Sequence, residues 1–357
     1  MKSSQKQTIY DIAKRAGASP STVSSALNGT WKARRIREDT VKRIKAIAAD
    51  LGYSVNLQAR GLRKAKSGLV GMILPEHDNR FFSQLSQTFT VETRKRGLCP
   101  VIVSTRRDPN EEAKTVSNLI SYAIESLIIV GASDPEALSH LCRGAGIVHV
   151  FVDQPCQSAP SVASDNHRGA EVLAETLMAH MPPQRPDRPR SWLYFLGGDA
   201  TLYASSQRIG GFKAAVAART SIVRPEQIIA CGYEREPARQ ALEHLHNRLG
   251  GLPAGLLINS ITSFEGVIAF LGALAERDIR DCVIGCYDYD PFGMLLRFPV
   301  HMIRQRTNKL IEEAYSHLDG GDDAPGLTLI EPVLVPAQPG PGATAPNDQS
   351  VPAQVER

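Results

Sequence analysis

The residues best placed to do chemistry sit at the ends of apolar runs. Asp78 and Asn79, with Phe81 and Phe82 close behind, follow LVGMILP; Asp153 follows IVHVFV and Asp288 follows CVIGCY. Short apolar runs bounded by turn residues read as buried parallel strands, and the C-terminal ends of such strands face a crevice. Carboxylates and amides there accept from and donate to sugar hydroxyls, and an aromatic ring gives the C–H face of a sugar something to stack on. Arg208, in SSQRIGGF, adds a cation that stays charged at any relevant pH and can anchor a hydroxyl pair or a phosphate. Arg304, Gln305 and Arg306 make a second possible anion site. This is binding chemistry. Catalysis would need converging activated groups, yet the sequence holds no G-x-S-x-G and no Gly-rich phosphate loop of the usual form. His244 and His246 fall on a helical pattern where side chains two apart diverge. An enzyme is therefore not expected, nor is a cofactor.

A different constellation lies at the N-terminus, in TIYDIAKRAGASPSTVSSALN, Thr8 to Asn28. Thr8 can cap a first helix with Asp11 three residues on, and Ile9, Ile12, Ala13 and Ala16 share one apolar face. Gly17 supplies a turn. Ser19 is a second N-cap with Pro20 in the first helical position, and Val23, Ala26 and Leu27 give the next helix its buried side. Ser21, Thr22, Ser24, Ser25 and Asn28 are left facing outward. Small hydroxyl and amide groups beside exposed helix N-terminal N–H groups suit phosphate oxygens and base edges in a major groove. With Tyr10, Ser19 and Pro20, these residues form the expected DNA-reading face. A third helix, about Asp39 to Leu51, closes a three-helix headpiece through Val41, Ile44, Ile47, Ala48 and Leu51. In the long turn before it, Lys32, Arg34, Arg35 and Arg37 can reach flanking phosphates.

Charge supports that reading. The whole chain of 357 residues carries a net charge of only +4, but residues 1–67 hold 15 Lys+Arg against 4 Asp+Glu and the remainder 26 against 33. A basic head of +11 on an acidic body of −7 points to nucleic acid as the partner of the head alone. The head has no broad apolar face that could lie in lipid. The six cysteines show neither CxxC pairs nor a His at metal-ligand spacing, so reduced thiols and no metal are expected. No apolar run reaches the ~18 residues of a spanning helix, and the N-terminus lacks the apolar core of a secretion signal. A cytoplasmic protein with no membrane partner is expected.

The order of helix-turn-helix, third helix, Tyr53, the run N-x-x-A-R-x-L and then a strand resembles the LacI/GalR family of transcription regulators. The resemblance covers about residues 8 to 336. It implies a hinge helix containing Asn56, Ala59, Arg60 and Leu62, with Leu62 wedging into the minor groove. Val55 stands where the family usually has proline. It also implies that Arg208 contacts the effector, with Asn259 or Ser260 at the next contact point. The insertion between the second and third helices, FPVHMIRQRTNKLIEEAY and INSITSFEGV are most similar to the fructose repressor (Cra/FruR) branch, whose effectors are phosphorylated fructose. Where that branch would place an arginine beside Asp153, this sequence has Gln154. Such regulators bind pseudo-palindromic double-stranded operators as homodimers, and a small sugar or sugar phosphate tunes the affinity.

From Leu69 onward, strands alternate with amphipathic helices, which argues for parallel sheets covered on both faces. Expected helices include Phe81 to Arg96, Asn110 to Ala123, Ser206 to Ala218, Glu236 to Leu249 and Phe264 to Arg277. The proline-rich stretch Pro182 to Pro189 is read as the crossing from a first to a second similar lobe. The fold class is thus an all-α helix-turn-helix headpiece plus an α/β two-lobed, periplasmic-binding-protein-like body. The expected divisions are 1–53 headpiece, 54–67 hinge, 68–336 effector-binding and dimerisation body, and 337–357 disordered tail. Two rivals share parts of this reading: a sugar-binding protein of transport type, and a regulator whose body only dimerises. The first would need an export signal and no basic head.

Overall fold

The computed structural model describes residues 7–53, 67–320 and 324–338. The chain divides into two compact units, one ending at Gly68 and the other beginning at Leu69. The first contains α1 (Ile9–Ala16), α2 (Pro20–Leu27) and α3 (Glu38–Asp50). Thr8 opens α1, its backbone N–H and its hydroxyl both donating to Asp11 Oδ2 at 2.8 and 2.7 Å. Gly17 ends α1 with a φ of 57°, a left-handed conformation that glycine adopts without strain. Ser19 starts α2 by accepting from Thr22 N at 3.1 Å, with Pro20 in the first turn. Ile12, Val23, Ala26 and Ile44 are fully buried where the three helices meet. Trp31 and Ile36 also pack on that core and tether the basic turn at two points.

One outward expectation fails here. Ser25 is buried, and its hydroxyl donates to the Ser21 carbonyl one turn back at 2.9 Å. A side chain that small satisfies itself within the helix and tucks against the core. Ser19, Pro20 and Ser21 remain exposed, Thr22, Ser24 and Asn28 are half-buried, and Tyr10 is fully outward at 71 %.

The second unit runs β1 (Leu69–Leu74), α4 (Arg80–Lys95), β2 (Cys99–Ser104), α5 (Pro109–Ser121), β3 (Ser126–Val130), α6 (Pro135–Gly144), β4 (Val148–Val152), β5 (Pro160–Ser164), α7 (Asn166–His180), β6 (Leu193–Leu196), α8 (Tyr203–Thr220), β7 (Ile228–Ile229), α9 (Arg235–Leu249), β8 (Gly255–Ile258), α10 (Ile261–Leu271), α11 (Glu276–Ile279), β9 (Val283–Tyr287), β10 (Val300–Arg304), α12 (Thr307–Gly320), β11 (Gly326–Ile330) and β12 (Val333–Val335). They form two six-stranded sheets, ordered β11-β5-β4-β3-β1-β2 and β12-β10-β9-β8-β6-β7. Every pairing is parallel except β12 on β10. The strand orders match position for position, so β4 of one lobe corresponds to β9 of the other and β5 to β10.

The lobes exchange segments three times. The chain leaves the first sheet after β5, α7 already packs on the second sheet, α12 returns to β4 and β5, and β12 ends on the second sheet again. The crossing therefore lies at Ser164 to Asn166, not in the proline-rich stretch, which runs on the second lobe. Prolines exclude regular structure but carry no information about which sheet the flanking elements join. β5 and α7 are absent from the sequence reading because a five-residue strand meets its helix after one residue, Asp165, which serves as the helix N-cap by accepting from Arg168 N at 2.9 Å and leaves no loop to separate the two elements. Two helix bounds also shift. α8 begins at Tyr203, and the expected helix from Phe264 to Arg277 is two, α10 and α11, with Gly272 at the break.

Candidate functional site

Between the lobes lies a cavity of about 640 Å³, walled by the loops that follow the strands of both sheets. Asp78, Asn79, Phe81, Phe82, Asp153, Arg208, Ser260, Asp288 and Gln305 all line it. Two expected residues do not. Asn259 is fully buried beneath the wall, and Arg306 opens onto an adjoining cavity of about 260 Å³ with Arg80, Arg304 and Thr307. Asn259 belongs to the same turn as Ser260, and Ser260 takes the outward position while capping α10 through Ser263 N.

Arg208 is the best-held group of the site. It projects from the second turn of α8 and is only 4 % exposed. Its Nε donates to Asn166 Oδ1 at 2.8 Å, its Nη1 to the Asn259 carbonyl at 2.6 Å, and its guanidinium plane stands 3.8 Å from the Tyr287 ring. Asn166 is in turn fixed by donating to the Ser164 carbonyl at 3.1 Å. An arginine pinned on one edge and one face has lost its rotamer freedom before any ligand arrives, so little entropy is lost on binding. Asn259 thus acts through its backbone as a positioning residue.

Asp153 and Asp288 follow the equivalent strands β4 and β9, and both are buried. Burial pushes both carboxyls above the usual aspartate range; Arg107 and Arg208 pull Asp153 back down, and Arg208, Gln305 and the Ile261 N–H do so for Asp288. Gln305 Nε2 donates to Asp288 Oδ1 at 2.7 Å while its Oε1 accepts from Ser164 Oγ at 2.6 Å. The glutamine therefore ties the second-lobe carboxylate to the end of β5, joining two crossing points.

On the first-lobe side Asn79 caps α4 by accepting from Phe81 N at 2.9 Å, and its Nδ2 donates across the cleft to Thr262 Oγ1 at 3.3 Å. Arg80 pairs with Asp290 of the other lobe. These two contacts latch one side of the cleft. Phe82 is packed into the first-lobe core, whereas Phe81 remains half-buried with a face toward the cavity.

Sequence reasoning missed Arg106 and Arg107, which follow β2, and Tyr233 and Glu234, which follow β7. The strand-end rule applied to Asp78 would have found them. Arg107 is half-buried, lies 5.9 Å from the Phe82 ring and donates to the Gly131 carbonyl at 3.2 Å. It provides the cation near Asp153 that Gln154 does not. The wall carries six carboxylates, Glu76, Asp78, Asp153, Asp199, Glu234 and Asp288, against the guanidiniums of Arg106, Arg107 and Arg208.

In the head, Lys32, Arg34, Arg35 and Arg37 are all exposed along the turn before α3. Asn56, Ala59, Arg60 and Leu62 lie outside the described residues. Among the described residues no cluster of His, Cys, Asp or Glu could hold a metal ion, and no helix is long and apolar enough to cross a membrane.

Comparison with known proteins agrees with both units. Residues 8–56 match the family described as bacterial regulatory proteins, lacI family, and residues 70–294 match a periplasmic binding protein domain. The chain is 39 % identical to the ribitol operon repressor of Klebsiella aerogenes over 57 % of its own length and 76 % of the relative's. Its fold is similar to that of Cra from Pseudomonas putida, solved with fructose 1-phosphate, at a TM-score of 0.67 and 21 % identity over 76 % of this chain and 99 % of that one. It is also similar to the lac repressor dimer solved with operator and an anti-inducer, at a TM-score of 0.78 and 19 % identity over 93 % and 98 %.

Proposed function

The chain belongs to the LacI family of bacterial regulatory proteins, and on that premise we propose a cytoplasmic, homodimeric transcription repressor whose hold on operator DNA is set by a neutral polyol or sugar in the inter-lobe cavity. The headpiece offers Ser21, Thr22, Ser24 and Asn28 to base edges and phosphates, and Arg34, Arg35 and their neighbours to the flanking backbone. Asn56, Ala59, Arg60 and Leu62 take the hinge role that the family resemblance gives them.

The observation that carries the effector class is the placement of Arg208 among Asp153, Asp288 and Gln305. An ionised carboxylate only accepts hydrogen bonds and a guanidinium only donates them, so together they suit hydroxyls, which do both. A phosphate dianion would meet two buried carboxylates in a wall that already carries twice as many acids as guanidiniums. Like charges at short range in a poorly solvated site repel strongly. The relative named for a ribitol operon points the same way, since ribitol is an uncharged pentitol. Effector binding and DNA binding are coupled by one factor in both directions.

The test is isothermal titration of the full chain with ribitol, related pentitols, neutral hexoses, fructose 1-phosphate and fructose 1,6-bisphosphate. Binding of an uncharged polyol, and none by its phosphate ester, is expected. Tight binding of a phosphate ester alone would reverse the assignment.

A further inference from the structure

A second cavity, of about 200 Å³, lies on the second lobe away from the cleft, where the proline-rich loop passes the C-terminal ends of α7 and α8. Its cations are Arg185 from the loop, Arg219 from the last turn of α8, and Arg224 just beyond, and its lining contains no carboxylate. That is unusual in a body whose net charge beyond residue 67 is −7. Among the described residues none of the three guanidiniums makes an ion pair within 4.0 Å of a carboxylate. Gln184, in the same wall, keeps its Nε2 donor buried and without a hydrogen-bond partner. The Arg224 guanidinium carbon sits over the Trp192 ring, 4.5 Å from its centre, and the Trp192 indole N–H donates to the Arg185 carbonyl at 2.8 Å, which holds the loop in place.

The end of α8 does not need these cations as caps. It is already closed by Thr220, whose hydroxyl lies 2.9 Å from the Val216 carbonyl and 2.8 Å from that of Ile222, and by Ser221 N–H donating to Ala217. Three like charges lining one concave wall repel one another, a repulsion that the negative C-terminal ends of α7 and α8 lessen and that a bound anion would relieve. Guanidinium forks and an amide N–H are the donor set that a tetrahedral oxyanion takes.

We propose that this cavity binds a small phosphate-bearing anion, inorganic phosphate or a compact phosphomonoester, at a site separate from the polyol cavity. The site also has a route to the cleft. α7 and α8 are packed so closely that a Cβ on Gly211 would come within 2.0 Å of the His167 carbonyl oxygen. The cleft ends of the same two helices carry Asn166 and Arg208, hydrogen-bonded to each other. An anion gripping the far ends would therefore sit on the same two helices that carry this pair.

Thermal melts of the full chain would be followed with inorganic phosphate, glycerol 3-phosphate, glycerol and ionic-strength-matched chloride. Both phosphates should raise the melting temperature beyond chloride, while glycerol at the same concentration does not. Arg185 and Arg219 are both exposed, so Arg185→Gln with Arg219→Gln tests the site without disturbing the core; it should weaken the phosphate response about a hundredfold, as expected for two lost charge-assisted contacts. Arg208→Ala should leave the phosphate response in place. No response beyond chloride, a response kept by the double variant, or one lost in Arg208→Ala would overturn the proposal; the last would also place a phosphate in the cleft.

Discussion

Asp153 and Asp288 occupy equivalent positions in the two lobes, each the first residue after a central strand and each with a positive φ, 70° and 102°. Both carboxyls line the same cavity and both are buried. A non-glycine residue in that region is strained, and aspartate and asparagine bear it better than most. Strain repeated at two related sites, with a costly buried charge at each, points to function rather than to packing.

That pairing fixes the pH behaviour. Burial raises both carboxyl pKa values above the usual aspartate range, so the folded protein holds these protons more tightly than the unfolded chain does. The contribution to stability is present below the unfolded value and is lost as pH rises through the raised folded values. Asp153→Asn and Asp288→Asn retain the tolerance for positive φ and remove this loss. Melting curves across that window should be flatter for either variant than for the native chain, while affinity for the polyol falls. Identical pH profiles would show that neither carboxyl is perturbed.

Arg208→Ala should abolish effector binding, because it removes a buried guanidinium and leaves Asn166 Oδ1 and the Asn259 carbonyl without their donor. Unmet buried acceptors cost about 1–3 kcal/mol each, so a moderate drop in stability is expected too. Arg208→Lys cannot span both acceptors while stacking on Tyr287, and it should fail nearly as completely. Calorimetry of the two variants distinguishes this from a merely electrostatic role, for which lysine would suffice.

Gly211→Ala tests the α7/α8 contact. The added methyl would meet the His167 carbonyl oxygen at 2.0 Å and Glu171 N at 2.9 Å, both backbone atoms that cannot rotate away. Overpacking of this kind typically costs about 1–3 kcal/mol. Urea denaturation should show that loss, and the variant should also bind polyol less well because Asn166 and Arg208 are pushed apart.

In the headpiece, Ser21 and Ser25 should behave oppositely. Ser21→Ala removes an exposed hydroxyl and should weaken operator binding with little effect on melting. Ser25→Ala removes a buried hydroxyl bonded to its own helix and should leave operator affinity nearly unchanged. Thr8→Ala removes the hydroxyl bond to Asp11 at the start of α1 and should cost about 1 kcal/mol of headpiece stability. Mobility-shift assays and melts on the same three proteins separate the roles.

Much of this architecture is legible in the sequence because its signals are local. Caps, helical apolar stripes and strand-end carboxylates depend on neighbours a few residues away, so Thr8, Ser19, Asp153 and Asp288 could be placed directly. Arg208 came through the R-x-x-G-F context and the family resemblance, and the glycine of that context is the one that lets α7 approach. What stayed hidden depends on partners distant in sequence. β11 and β12 are a few residues long and take their place from sheets begun far upstream, at β5 and β10. The bond from Ser164 to Gln305, and the choice between Asn259 and Ser260 for the cavity wall, follow from packing that no window of sequence contains.

The most direct test of the whole account is the affinity of the full-length protein for its operator, measured at fixed salt with and without saturating ribitol or the best-binding pentitol, for the native chain and for Arg208→Ala. A polyol-dependent change of about five- to a hundred-fold is predicted for the native chain, and none for Arg208→Ala, which should still bind operator. A native protein whose operator affinity ignored every neutral polyol and sugar, or an Arg208→Ala variant that still responded, would contradict the assignment of the inter-lobe cavity as the controlling site.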